Sequence, residues 1–369
     1  MAEPGLYVHI PFCRSKCPYC SFYSIASTSL ATRWLKAFER ELDHYEGLFG
    51  CYDTLYIGGG TPTCIGIGML ETLMSAINRQ ACLSAGAELT IEANPCDLTR
   101  EMISFLKDAG FNRVSLGVQS FDDNILDFLG RNHSGLEAVN ALEELRSQGL
   151  ENISMDLIYG LSVQNTVEWV KDLEKALSFR PEHISCYQLT IEKKTLFDRL
   201  RQRGELDLIS EEEESEYFLC TSRFLEQRGY IHYEVSNFAR NEDCLSRHNS
   251  KYWSRVPYLG LGPSAHSFDG GSRWWNVRSV KKYITALDSS IPPVDEKEVI
   301  SPEQARIESL CTGIRTLEGF PLTDLSSAPE ASENLLRLQE GGYIRLKKGR
   351  AVPTKKGFLV ADRIALLLS

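Results

Sequence analysis

Short apolar runs alternate with amphipathic stretches through the first half of the chain. Residues 6–10, 54–57, 88–91, 113–118, 153–158 and 183–188 are rich in Val, Ile, Leu, Tyr or Thr and read as strands. The stretches between them follow a helical period. Residues 30–49 put Trp34, Phe38, Leu42 and Tyr45 on one face. Asp97 or Thr99 caps a helix that carries Met102, Phe105 and Leu106, and residues 136–148 and 167–179 read the same way. Strands alternating with helices imply a parallel sheet with right-handed crossovers. A closed eightfold barrel needs about 250 residues, and six units in roughly 190 residues fit an open, partial (β/α)6 barrel better. A flat doubly wound sheet satisfies the same strand count.

The pattern changes after residue 200. The acidic run Glu211–Glu214 reads as the solvated face of a helix. Residues 235–280, rich in Gly, Ser, Asn and aromatics, read as ordered loops. In the tail, Ser301-Pro302-Glu303-Gln304 is a capping box with proline at the first helical position. A helix near 335–339, a hairpin at 343–352 around Lys348-Gly349 and a last helix at 358–368 complete a winged-helix-like order. The predicted fold class is therefore α/β, a partial barrel with a smaller C-terminal helical domain. The predicted division is 1–205 for the barrel, 206–295 for a connecting region and 296–369 for the C-terminal domain.

With 43% hydrophobic and 24% charged residues, a 369-residue chain can bury a core without disulfide staples. A net charge of −10 argues against a broad nucleic-acid surface. The tail holds seven Lys or Arg against one Asp in residues 344–363, yet no helix there offers base-reading side chains, so it reads as a packed accessory domain. No run of about 18 apolar residues appears, and the first residues lack the pattern of a signal peptide. A cytoplasmic location is expected, with attachment to a membrane surface left open. The 11 cysteines are then expected as thiols serving metals or chemistry, not as disulfides.

Three of them stand apart. Cys13, Cys17 and Cys20 share one short loop, a spacing that random placement gives about 0.01 times. Three thiolates can hold three irons of a [4Fe–4S] cubane and leave the fourth open. A zinc knuckle would need a fourth ligand, for which His9 is the nearest residue. The other eight cysteines read as small buried hydrophobes. Gly58-Gly59-Gly60-Thr61-Pro62-Thr63 follows the second strand and suits close backbone approach to an anionic group. Polar residues then recur along successive strands: Glu92 and Asn94 end the third, Gln119 ends the fourth with Arg131 beyond it, and Asp156 sits within the fifth. Barrels of parallel strands place their sites at the C-terminal strand ends.

Tyr7-Val8-His9-Ile10-Pro11-Phe12-Cys13, with Cys17 and Cys20, resembles the radical S-adenosylmethionine superfamily. More narrowly it is similar to the branch holding the oxygen-independent coproporphyrinogen III oxidases and the HemW haem chaperones. The segments 58–63, 90–95, 117–122, 129–131, 156–160 and 313–319 also match, so the resemblance spans nearly the whole chain. It implies a [4Fe–4S] cluster on Cys13, Cys17 and Cys20, and S-adenosylmethionine at the open iron, where one electron cleaves a carbon–sulfur bond. Tyr7, Tyr19, Gly59, Gly60, Thr61 and Glu92 would contact S-adenosylmethionine. Gln119, Arg131 and Asp156 would contact it or a second such ligand. Two departures from the oxidases point to the haem chaperones. Phe22 stands where the oxidases carry a fourth cysteine, and only 12 residues precede Cys13 where they carry a long extension. His248-Asn249-Ser250-Lys251-Tyr252-Trp253 matches a signature of the chaperone branch and makes His248 the candidate haem ligand. The resemblance implies haem as cargo, a haem-acceptor protein, an electron donor and no coproporphyrinogen oxidase activity. The oxidase itself is the alternative function.

Overall fold

The computed structural model describes residues 2–369. Six parallel strands form its centre: β1 (Gly5–Ile10), β2 (Cys51–Gly59), β3 (Cys82–Ala93), β4 (Arg113–Gln119), β5 (Ile153–Tyr159) and β6 (His183–Gln188). All six were legible as strands. Helices such as Ala31–His44, Arg100–Asp108, Gly135–Ser147 and Thr166–Ser178 cross over between them. On Ala31–His44 the residues Trp34, Leu35, Phe38 and Leu42 are buried at helical spacing. Each such side chain contributes about 1.5–3 kcal/mol on burial. Thr99, one of the two expected caps, accepts the Met102 amide. The helix Ile67–Gln80 escaped the sequence reading because Gly66, at φ +83°, and Gly68 open it with residues that break a helical pattern.

Residues 235–280 are not loops. They supply β8 (Asn237–Ala239), which with β7 (Ile231–Glu234) extends the sheet beyond β6. They also supply β9 (Tyr258–Leu261), β10 (His266–Phe268) and β11 (Ser272–Asn276), which with β12 (Val294–Val299) extend it beyond β1. These strands are three to six residues long, too short to show a period. The result is one open sheet in the order β12-β11-β10-β9-β1-β2-β3-β4-β5-β6-β8-β7. Glu41, fully buried on the first helix, holds the β9–β11 extension in place. Its carboxylate accepts from Gly262 N (2.7 Å), Asn276 Nδ2 (2.5 Å) and Tyr283 Oη (2.5 Å).

The C-terminal part has its own core, with Leu310, Ile314, Phe320, Ile344, Ile364 and Leu368 at its centre. Helices Pro302–Gly313 and Pro329–Glu340 precede a hairpin of β14 (Ile344–Lys347) and β15 (Arg350–Pro353), joined by β13 (Phe320–Pro321). Ser301 completes the expected capping box. The last predicted helix is two, Lys355–Phe358 and Ala361–Leu368, split where Val360 leaves helical geometry. This part docks on the outer edge of β7, where Val235 N donates to Arg315 O (3.0 Å) and Leu317 N to Tyr233 O (2.9 Å). Among the described residues no helix is long and apolar enough to cross a membrane.

Two expectations about cysteine are corrected. Cys51 and Cys82 form a disulfide, because the β2–β3 register sets them side by side with 4.6 Å between Cα atoms. Of the remaining scattered cysteines only Cys186 and Cys244 are buried; Cys64, Cys96, Cys220 and Cys311 are half-buried on partly covered helix and loop faces.

Candidate functional site

The C-terminal ends of the parallel strands surround a cavity of about 370 Å³. The cysteine loop leaves β1 there. Cys13 N donates to Ile25 O (3.1 Å) and Ile25 N to Pro11 O (2.9 Å), which closes the loop at its root. Phe12, fully buried edge-on to Trp34, anchors the same root in the core. Arg14 reaches Asp97 (2.6 Å), and Thr63 donates to the other oxygen of that carboxylate (2.9 Å). The loop is thus tied to the two following strand ends.

Cys13, Cys17 and Cys20 are free, half-buried and all on the wall of this cavity. Thr61 Oγ1 lies 3.6 Å from Cys13 Sγ, and Arg131 Nη1 lies 3.5 Å from Cys17 Sγ. Burial pushes the Cys20 thiol up, the Phe22 amide opposes this, and the neighbouring Cys17 and Cys13 add to it. A bound cation would displace such protons. Gly60 passes so close to the loop that a Cβ would sit 2.3 Å from Phe12 O and 3.0 Å from Cys13 Sγ. The residues therefore fit a compact sulfur-ligated group. His9, the alternative fourth ligand of a zinc knuckle, is buried with both ring nitrogens engaged, by Tyr7 Oη (3.0 Å) and Tyr23 O (2.8 Å).

Eight of the nine expected S-adenosylmethionine contacts line the same cavity: Tyr19, Gly59, Gly60, Thr61, Glu92, Gln119, Arg131 and Asp156. Tyr7 does not; its ring stands behind Tyr56, 6.1 Å away. Tyr56, which the sequence reading missed, donates to Glu92 Oε1 (2.8 Å), while Gly59 N donates to Oε2 (3.2 Å). Desolvation inside the barrel is the main reason the Glu92 carboxyl is raised to about 7, and the Asp156 charge adds to it. Asn94 bridges Thr61 (3.2 Å) and Arg131 (2.6 Å), and Arg131 also donates to Gly117 O (2.9 Å). Arg131 Nε is buried with no partner, a cation held ready for an acceptor. Gln119 ends β4 at φ +66°, a conformation a side chain rarely adopts, and strain of this kind gathers at binding sites.

Deeper in, Asp156 accepts from Ser115 Oγ (3.0 Å) and from Ser185, and burial raises its carboxyl. Arg113 and His183, both buried, line the floor. These polar positions alternate along β4, β5 and β6 (113, 115, 117, 119; 154, 156; 183, 185, 187), and that period of two was the signal available for finding them.

The helix Arg247–Trp253 closes the far end of the barrel, and Ser246 and Asn249 reach its cavity. Glu88 accepts the Arg247 (3.2 Å) and His248 (3.0 Å) amides at the start of this helix. His248 is 1% exposed, with Nδ1 on Thr54 (2.8 Å) and Nε2 on Tyr252 (2.9 Å). Both nitrogens are occupied inside the fold, so iron ligation by His248 requires this helix to move.

Residues 7–176 match the family model of the radical SAM superfamily. The haem chaperone HemW of Bacillus subtilis is 40% identical over 319 residues, 85% of this chain and 83% of the relative. HemW of Lactococcus lactis is 37% identical over 366 residues, 97% of this chain and 95% of the relative. Among solved structures, coproporphyrinogen III oxidase (HemN) from Escherichia coli superposes with a TM-score of 0.85, covering 99% of this chain and 90% of that one at 24% identity. That likeness establishes the open-barrel fold. The chain belongs to the radical SAM superfamily and, within it, to the family of HemW.

Proposed function

We propose that this protein is a HemW-type haem chaperone, which binds haem and hands it to an acceptor protein, and which carries a [4Fe–4S] cluster and S-adenosylmethionine. The observation that carries this reading is the similarity to haem chaperones over most of the chain, joined to three free thiols of one loop on a cavity whose other wall holds Glu92 and Arg131. Cys13, Cys17 and Cys20 would hold the cluster. When bound, the cluster supplies an open iron site and one-electron reduction, drawn from a separate electron donor. The chain's own residues bind and orient the second ligand. Glu92 accepts from its amino group, Arg131 donates to its carboxylate, and Asp156 accepts from a ribose hydroxyl or another donor deeper in the cavity. Docking at a membrane surface, where haem partitions, belongs to the same proposal. The test is transfer itself: purified, anaerobically reconstituted protein loaded with haem should lose its Soret absorbance to an added apo-acceptor, and retention of all haem would contradict the reading.

Binding of S-adenosylmethionine should depend on pH. Only ionised Glu92 accepts the amino hydrogen bond, and its carboxyl in the free site is raised to about 7. Affinity is therefore full above that value and weakens as pH falls through it, by up to about tenfold per unit. Glu92→Gln should flatten this profile and cost roughly 1–2 kcal/mol on the alkaline side. Calorimetry of cluster-loaded protein at two pH values checks both; an equal slope in the variant would remove Glu92 from the role.

Coproporphyrinogen III should not be converted to protoporphyrinogen IX, even with reductant and S-adenosylmethionine present. The reason is Phe22, 68% exposed at the mouth of the cavity, where the oxidases carry a cysteine. Product formation above the cluster-free control would favour the oxidase.

A further inference from the structure

Of the seven histidines, His9, His133, His183, His232 and His248 are buried. His44 and His266 are exposed. His44 ends the helix that descends from the cluster side, so it lies at the opposite end of the strands. His266 begins β10, directly after β9 has risen parallel to β1, and so lies at the cluster end. Among the described residues its ring nitrogens have no hydrogen-bond partner.

The surroundings of His266 form a shelf. Its strand partner is Trp275, whose ring stacks on the imidazole at 5.6 Å and 26°. Ser267 and Trp274 point to the other, helix-covered face, where Trp274 stacks on Tyr45. Register carries the His266 face back to the cavity side: His266 shares it with Phe268, which pairs with Tyr258, and Tyr258 with Gly5, two residues before Tyr7. Between Tyr7 and His266 on that face lies Gly260, without a side chain. The shelf is rigid, because Glu41 binds Gly262 and Asn276, which flank His266 and Trp275. An exposed cation lies near it: Arg278, which like His266 neighbours His9, donates to Ser21 O (2.8 Å) in the cysteine loop and forms no ion pair among the described residues. Shielding of the ring, and then Arg273, lower the His266 pKa, which keeps its lone pair free at neutral pH.

We propose that His266 is the axial ligand of the transported haem, with Trp275 against the macrocycle and Arg278 receiving a propionate. Neutral imidazole is a common haem ligand and stands upright on the porphyrin, so Trp275, within 26° of the His266 plane, meets the macrocycle edge-to-face, and guanidinium pairs with carboxylate. The proposal rests on the haem-carrier reading. It sets the cargo outside the cluster cavity, whose walls include none of His266, Trp275 and Arg278, so both can be filled at once.

Ferric haem is titrated into wild type, His266→Ala, Arg278→Glu and His248→Ala at equal cluster loading, with Soret difference spectra as readout. His266→Ala should lose at least tenfold in affinity together with the imidazole-type spectrum, and added free imidazole should restore that spectrum. Arg278→Glu should bind more weakly with the spectrum unchanged. His248→Ala should keep its spectrum. Unaltered affinity and spectrum in His266→Ala, or a loss that imidazole does not repair, overturns the proposal. Absence of haem binding by wild type would instead defeat the carrier reading beneath it.

Discussion

Cys13→Ala, Cys17→Ala and Cys20→Ala are each expected to abolish stable cluster assembly, with iron and acid-labile sulfide falling to background after anaerobic reconstitution. The three thiols share one cavity wall, and the loop that carries them has no spare ligand: Phe22 fills the place where a fourth cysteine would stand. Cys96 also lines the cavity and Cys64 lies nearby, but both stand outside the cysteine loop, on the short turns after β3 and β2. Removing one anchor leaves two irons of the cubane without protein ligands. Cys220→Ala, half-buried on the helix Glu211–Glu226, is the control and should assemble normally. Equal iron and sulfide in all four variants would refute the ligand set.

Gly60→Ala should be nearly as damaging, through packing alone. A methyl group there would meet Phe12 O at 2.3 Å. That carbonyl cannot withdraw, because the Phe12 side chain is fully buried against Trp34 and the oxygen accepts Thr61 N at 2.7 Å. The clash must be relieved by pushing the cysteine loop away from the β2 end. Overpacking of this kind costs about 1–3 kcal/mol, and the displaced residue next in line is Cys13. Thermal unfolding of cluster-free protein and cluster content after reconstitution should both drop. Gly68→Ala is the contrast: a Cβ there meets nothing within 4 Å, and in a helix it should stabilise by about 0.5–1 kcal/mol. If both alanines behave alike, the close approach at Gly60 is not what fixes the loop.

The readable parts of this molecule are those whose signal is local. Strands β1 to β6 announce themselves by β-branched and aromatic runs, and the cysteine loop by spacing. Gly59, Glu92, Gln119, Arg131 and Asp156 were reachable as cavity residues from their places in or just beyond the strands, a rule of position rather than of partner, whereas Tyr19, Gly60 and Thr61 came through the family resemblance. What was missed depends on register. Tyr56 matters because β2 lies beside β3 and brings its hydroxyl to Glu92. Cys51 meets Cys82 across 31 residues for the same reason. His248 sits in a matching motif, and nothing in that motif tells that Thr54 and Tyr252 occupy both its nitrogens. His266, with no motif around it, shows its interest only once β11 lays Trp275 against it.

An open sheet of twelve strands has two borders, and each is a row of backbone donors and acceptors that a second chain could extend. Here neither border is offered. On the β7 side the segment 315–317 occupies the ladder, so the C-terminal part acts as a cover as well as an accessory fold. On the β12 side the strand reads Val294-Asp295-Glu296-Lys297-Glu298-Val299, four charged residues in a row of the kind that discourages strand addition. If haem is carried as proposed, its apolar, stacking faces add to the risk of self-association. The guarded borders keep the sheet itself from adding to that risk.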